Sequence, residues 1–267
     1  MREIPKLTLE TIKRMKDMSW FTHAKIFDDL IIVAQKETAC YILKTSSGLV
    51  IIDGIWPSEK VYNELRKAIN DAGWTTIPIT KFIMTHGHID HVGCGKLLVE
   101  NHNVKTYLSK VDDELRLNSS CEEDYLESFK RFPIDCFLKD NDEINCGDKT
   151  IKVIHTPGHT DGTMSFVFPV TENDQIYYAA LFGGATPFWN DEKAKITQIE
   201  SIKKFKSTTK NLHVDVALTN HTAFDSGLER IEYSKSRMKH LPNIYILGES
   251  GAQKFLDVFI KIANSKI

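Results

Sequence analysis

Residues 85–93 read Thr85-His86-Gly87-His88-Ile89-Asp90-His91-Val92-Gly93. Three imidazoles and one carboxylate fall within six residues, His86 to His91. Neutral imidazole is the commonest side-chain ligand for borderline metals such as zinc, and carboxylate oxygen is its usual companion. Packing alone does not call for four such groups at this density, so the stretch predicts a metal site. The segment leading into it, Lys81-Phe82-Ile83-Met84-Thr85, reads as a strand. Side chains at i and i+2 of extended chain point the same way, so His86 and His88 are expected to aim at one point. Asp90 and His91 come just after the chain turns and are expected to face that pocket from another side. Gly87 and Gly93 let the backbone turn tightly around the cluster.

Two more histidines stand at comparable places. His159 lies in Thr156-Pro157-Gly158-His159, directly after a predicted strand at Ile151 to Ile154. His221 lies in Thr219-Asn220-His221-Thr222, directly after a predicted strand at Val214 to Thr219. Three strand ends thus deliver His86, His88, Asp90, His91, His159 and His221. Six ligands exceed one tetrahedral site and suit two ions with three protein ligands each. The positions left open for water mark a catalytic rather than a structural centre. His155 competes with His159 but lacks the flanking glycine turn, and is read as a supporting or structural residue. His23, His102, His213 and His240 are read as surface or hydrogen-bonded histidines.

Hydrophobic patterning supplies the frame. Leu30 to Ala34 and Ala39 to Lys44 read as strands, and Ser46-Ser47-Gly48 as a turn. Leu49-Val50-Ile51-Ile52 is a continuous apolar run ending at Asp53-Gly54, the pattern of a strand buried on both faces. Ser58 opens a helix with Val61, Leu65, Ala68 and Ile69 on one stripe, closed near Gly73. Further strands are predicted at Val104–Leu108, Met164–Phe168 and Ile176–Phe182, with a hairpin turn at Ile144–Asp148. Helices are predicted at Thr8–Met18, Gly95–Asn101, Ile196–Lys210, Leu228–His240 and Ala252–Ala263, and charged helical and loop-like chain at Asp112–Phe132. Each half offers strands followed by helices, and no Pro/Gly/Ser-rich linker divides them. The prediction is therefore one domain over residues 1–267, built of two β-sheets with outer helices.

Bulk properties narrow the function. The chain has 267 residues, 42% of them hydrophobic and 26% charged, with net charge -2. Nothing basic invites nucleic acid. No run approaches the roughly 18 apolar residues of a membrane span. The first residues carry charges throughout and no apolar h-region. Five cysteines without CxxC spacing read as reduced thiols. A cytoplasmic protein acting on a small molecule is expected; the oligomeric state is not legible.

At this point the two histidine motifs and the strand ending in Asp53-Gly54 resemble the metallo-β-lactamase-fold superfamily, from about Phe27 to the C-terminal helix. The resemblance implies the α+β class, as a four-layer αββα sandwich of two mixed β-sheets with the metal site at one edge, and a role for Asp53 beneath the metal loop. It also implies two zinc ions, with iron or manganese as the alternatives. Members of the superfamily commonly carry a metal-bridging Asp, and classical lactamases a Cys, where this chain has Ala185 in Leu181-Phe182-Gly183-Gly184-Ala185. That departure resembles the histidine-type, third subclass of metallo-β-lactamases. By that match His86, His88 and His159 hold the first ion, and Asp90, His91 and His221 the second. The implied chemistry is hydroxide attack on a carbonyl, with Asp90 as the catalytic carboxylate that orients the nucleophile. Without a bridging carboxylate, the second ion is expected to bind more weakly. The alternatives are a hydrolase of a lactone, thioester or phosphodiester with incidental lactamase activity, or a non-catalytic metal-binding protein. Trp56, Thr186, Phe188 and Thr222 are expected around the substrate pocket, alongside Trp189 after Phe188.

Overall fold

The computed structural model describes residues 10, 13–119, 131–186 and 192–265. Strands β1 (Thr22–Phe27), β2 (Leu30–Ala34), β3 (Ala39–Thr45), β4 (Gly48–Ile52), β5 (Ile79–Ile83), β6 (Lys105–Ser109) and β7 (Cys136–Leu138) form a sheet in simple sequence order. Its first four strands are antiparallel meanders, and β4 to β7 run parallel. The crossovers carry helices α1 (Glu59–Asp71), α2 (Ile89–Val92), α3 (Gly95–Asn101) and α4 (Lys110–Asn118). A second sheet is built from β8 (Glu143–Asn145), β9 (Thr150–His155), β10 (Met164–Glu172), β11 (Gln175–Phe182) and β12 (Val216–Thr219), in the order β12-β11-β10-β9-β8. Only the β11–β12 pair there is parallel, and its crossover is α5 (Glu192–Asn211). Helices α6 (Gly227–Ser236) and α7 (Gly248–Asn264) complete the described elements.

Alternation along the strands sorts the side chains into layers. Ile32, Ala34, Tyr41, Leu43, Val50 and Ile52 face inward and meet Val153, Phe166, Phe168, Leu181 and Leu218 of the second sheet. Their neighbours Ile31, Val33, Cys40, Ile42, Leu49 and Ile51 face outward and meet Val61, Leu65 and Ala68 of α1 and Leu98 of α3. On the other side Ile154, Val167, Ala180 and Ala217 meet Ile202 and Phe205 of α5 and Leu256 and Phe259 of α7. Both sheets are thus buried on both faces, which is why Leu49 to Ile52 reads as an unbroken apolar run. The two mixed sheets flanked by helices are the expected α+β sandwich. Ser58 caps α1, its Oγ accepting from the Lys60 N–H at 3.2 Å.

Several expectations shift. The strand before the histidine cluster stops at Ile83 rather than Thr85, because Asp53 withdraws Thr85 N–H from any ladder. Helix α6 ends at Ser236, four residues before the predicted His240. The predicted Asp112–Phe132 segment is helical to Asn118, and residues 120–130 lie outside the described ones, as does most of the predicted Thr8–Met18 helix. Strands β1 and β7, short or edge-placed, carry no sequence signal of comparable strength. Cys40, Cys94, Cys136 and Cys146 form no disulfide; Cys121 lies outside the described residues. Among the described residues no helix is long and apolar enough to cross a membrane.

The inter-sheet layer predicts a large position dependence. Phe166→Ala, at a fully buried site of the inner core, is expected to cost about 3–5 kcal/mol in urea unfolding. Ile176→Ala, at a position 63% exposed on the neighbouring strand, is expected to stay within about 0.5 kcal/mol. Equal losses would contradict the layer assignment.

Candidate metal centre

The histidine cluster begins where β5 ends, and backbone contacts hold it in place. Gly54 N–H donates to the His91 carbonyl at 2.7 Å, Gly93 N–H to the Ile55 carbonyl at 3.1 Å, and Cys94 N–H to the Gly54 carbonyl at 3.1 Å. This knits the 53–57 turn to α2 so closely that a Cβ on Gly93 would overlap the Ile55 carbonyl oxygen. The turn is strained: Asp53 and Ile55 have φ of 60° and 51°, a left-handed conformation that β-branched residues strongly disfavour. His86 and His88 flank Gly87 in irregular chain beyond the strand, and their rings still converge, with centroids 4.8 Å apart. Asp90 and His91 sit on the single turn α2. His159 follows β9 and His221 follows β12, both at the same end of the sandwich.

Two triads result: His86, His88 and His159, and Asp90, His91 and His221. Within each, the candidate ligand atoms lie within 4.8 Å of one another. In the first, His88 Nδ1 and His159 Nε2 are 3.0 Å apart. The outward nitrogens are engaged: His86 Nδ1 with Thr85 Oγ1 at 3.0 Å, and His159 Nδ1 with the Thr186 carbonyl at 2.5 Å. In the second, His91 Nε2 is 3.2 Å and His221 Nε2 3.8 Å from Asp90 Oδ2. His91 Nδ1 meets Asp53 Oδ2 at 2.8 Å, and His221 Nδ1 meets the Glu37 carbonyl at 3.2 Å. Such outward partners fix which nitrogen faces inward. The triads touch through His86 and His91, whose ring centroids are 4.0 Å apart.

The electrostatics of the two triads differ. Burial, reinforced by neighbouring imidazoles, holds the pKa of His86 and His159 well below the ordinary histidine value. Burial likewise brings His88 down to about 4, and, with His91 nearby, His221 to about 4. Burial would lower His91 too, but the Asp90 and Asp53 carboxylates override it and raise it to about 10. Burial would raise Asp90, yet His91 and, further off, His221 hold its carboxyl well below the usual range. A metal fits this donor set. His86 Nε2 is buried with no hydrogen-bond partner, a deficit of about 1–3 kcal/mol that coordination would remove. The imidazoles of the first triad are already in the neutral form a ligand needs.

The expected pocket residues fare differently from the expected ligands. Trp56 is 4% exposed and belongs to the outer core cluster that includes α1 and β4 residues. Thr222 is also buried, its Oγ1 donating to the Lys36 carbonyl and its N–H to the Glu37 carbonyl, so both donors are spent on the backbone. Thr186 is half-buried and contributes its carbonyl to His159. Phe188 and Trp189 lie outside the described residues. His155 is bound through Nε2 to the Asp161 carbonyl and through its N–H to Asp140, a structural role. Ala185 is buried in the apolar cluster with Phe182 and Ile202. Sequence reasoning missed Asn220. Its Nδ2 donates to Asp53 Oδ2 at 3.1 Å and to the Gly183 carbonyl at 2.9 Å. The available signal was a polar residue at a buried strand end, immediately before a ligand histidine, as Thr85 is before His86.

Comparison with known proteins agrees with this geometry. The sequence profile of the metallo-beta-lactamase superfamily matches residues 35–172. Hydroxyacylglutathione hydrolase of Crocosphaera subtropica is 30% identical over 128 residues, 46% of this chain and 44% of that enzyme. BJP-1, a subclass B3 metallo-beta-lactamase of Bradyrhizobium japonicum, superposes with a TM-score of 0.74 at 19% identity, over 95% of this chain and 94% of that one. FEZ-1 metallo-beta-lactamase of Legionella gormanii gives a TM-score of 0.74 at 18% identity, over 91% and 93%. With its profile match covering the whole of the first motif and His159, this chain belongs to the metallo-beta-lactamase superfamily.

Proposed function

We propose that the chain is a two-zinc hydrolase of carbonyl substrates, with the β-lactam amide as the leading substrate class. The observation that carries this reading is the pair of buried triads, each with its ligand atoms within 4.8 Å and its rings fixed from behind. When bound, zinc would supply Lewis-acid polarisation of a carbonyl and a water whose pKa falls to about 7. His86, His88 and His159 would hold one ion, and Asp90, His91 and His221 the other. Asp53 fixes His91 through Nδ1, and the Glu37 carbonyl fixes His221, so that both present Nε2 inward. Asp90 Oδ2 stands 3.2 Å from His91 Nε2 and 3.8 Å from His221 Nε2, placed to accept a hydrogen bond from the attacking group and so orient it. No serine or cysteine nucleophile is required.

Support for a β-lactam comes from the near-complete overlap with subclass B3 folds and from Ala185 at the position resembling the bridging carboxylate. A second reading, thioester hydrolysis, is favoured by the hydroxyacylglutathione hydrolase relative. Zinc-loaded protein assayed on a chromogenic cephalosporin, a glutathione thioester, a lactone and a phosphodiester separates them. Cephalosporin turnover supports the leading reading; inactivity on it with thioester turnover replaces it. Metal analysis giving one iron per chain would overturn the two-zinc centre.

Two quantitative outcomes follow from the electrostatics and the hydrogen bonds. In protein stripped by chelation, His91 is protonated at neutral pH, because its raised pKa lies near 10. Zinc uptake by the second triad must displace that proton, so its affinity should rise roughly tenfold per pH unit between 6.5 and 8.5. The first triad is already neutral, so its affinity should stay flat. Stepwise competition titrations against a chromophoric chelator at three pH values check this; parallel slopes for both steps would refute it. Asp53→Ala should weaken metal affinity roughly 10- to 100-fold, since His91 and Thr85 lose their common acceptor.

A further inference from the structure

The first triad is supplied by two separate loops, 85–88 and 156–160, which meet at the 3.0 Å contact of His88 Nδ1 with His159 Nε2. Between them stands the first turn of α4. Asp112 is fully buried there. Its Oδ2 accepts from the Gly87 N–H at 3.1 Å and from Thr160 Oγ1 at 2.7 Å. Gly87 lies between His86 and His88, and Thr160 directly follows His159. Asp112 itself is fixed by the helix cap, its N–H donating to Ser109 Oγ at 3.2 Å. Thr160 is fixed by Thr163, through its N–H at 3.0 Å and its Oγ1 at 2.6 Å. The approach on both sides is close. A Cβ on Gly87 would overlap the Asp112 carbonyl oxygen, and one on Gly162 would lie 2.8 Å from the Asp112 carboxyl group.

We infer that Asp112 is a positioning residue for the first metal site: one carboxylate oxygen ties the His86–His88 loop to the His159 loop and sets the separation of the three imidazoles. The inference rests on the proposed two-metal reading and adds to it a division of labour. The second triad depends on other braces, the Asp53 carboxylate on His91, the Glu37 carbonyl on His221, and Thr38 Oγ1 on Asp90 at 3.5 Å. None of these passes through Asp112. Removing the Asp112 carboxylate should therefore loosen one site and spare the other, which a general loss of packing would not do. Supporting partners of metal ligands typically contribute 10- to 100-fold in affinity, and Asp112 acts on two loops at once.

The test measures zinc affinity by chelator competition in two backgrounds of the full chain. His91→Ala retains the first triad, and His88→Ala retains the second. Adding Asp112→Ala should weaken zinc binding roughly 10- to 100-fold in the first background and change it less than about threefold in the second. Thr160→Val removes the same tie from the other side at nearly constant shape, and should act in the same direction if Asp112→Ala fails to fold by circular dichroism. Asp112→Asn keeps an acceptor oxygen and should recover most of the affinity. Unchanged first-triad affinity in a folded variant, or equal losses at both triads, would overturn the inference while leaving the two-metal reading intact. Failure of the unaltered chain to bind zinc at all would overturn that reading, and this inference with it.

Discussion

A single buried carboxylate organises the end of the sandwich that carries the triads. Asp53 has no exposed surface. It accepts from Thr85 N–H at 2.8 Å, Thr85 Oγ1 at 2.9 Å, His91 Nδ1 at 2.8 Å and Asn220 Nδ2 at 3.1 Å. These donors come from three places in the chain: the approach to His86, the turn bearing His91, and the strand end bearing His221. A buried carboxylate short of donors costs several kcal/mol. The three segments therefore reach a low free energy only when they meet around Asp53. The left-handed φ of 60° at Asp53 is part of the same constraint, because it turns the chain out of β4 where a straight continuation would carry it past the site. Asn220 adds a second link, since the Gly183 carbonyl it also binds lies at the end of β11.

The two triads are unlike because of where the charges stand relative to this anchor. Three imidazoles share the first, and burial keeps them neutral. In the second, His91 lies between two carboxylates, Asp53 behind and Asp90 in front, and is pulled toward the imidazolium form. On the proposed two-metal reading, an ion at the second triad would replace that proton as the positive charge between the carboxylates. The Asp53–His91 hydrogen bond at 2.8 Å can persist through the exchange, since it uses Nδ1 while the ion would use Nε2. The anchor therefore stabilises the second triad in either state, and the switch between them is confined to one nitrogen.

Much of this was legible in the sequence because ligand chemistry and strand burial both leave strong patterns. The HxHxDH cluster, His159 and His221 announce themselves by residue type and by lying just after apolar runs, and the structure brings all six to one end of the sandwich. The outward stripe of α1 and the doubly buried β4 are equally plain from periodicity. Proximity in sequence says less about where a side chain ends up. Trp56 follows the Asp53 turn and was expected at the pocket mouth, but the positive φ at Ile55 sends the chain back into the core. Thr222 follows His221 closely, yet its hydroxyl is taken by a backbone carbonyl of the 35–38 loop. Asp112 belongs to no motif and lies 25 residues from its partner Gly87. Only the topology of β6 and α4 brings it to the metal loops.

Ala185 brings no ligand atom to the site. The methyl group points into the apolar cluster beneath α5 and ligates nothing. The carbonyls on either side of it are engaged. The Gly183 carbonyl accepts from Asn220, the Gly184 carbonyl from Gln198 at 2.6 Å, and the Thr186 carbonyl from His159. A ligating carboxylate at 185 would couple the two triads through a shared atom. Here the direct contact between them is the His86–His91 ring pair, and their common support is Asp53, which reaches His86 through Thr85. Coupling through a buried hydrogen-bond network is softer than coupling through a shared ligand. Each triad keeps its own set of braces, and those of the second come from the 35–38 loop, through Glu37 and Thr38, as well as from the histidine motif itself.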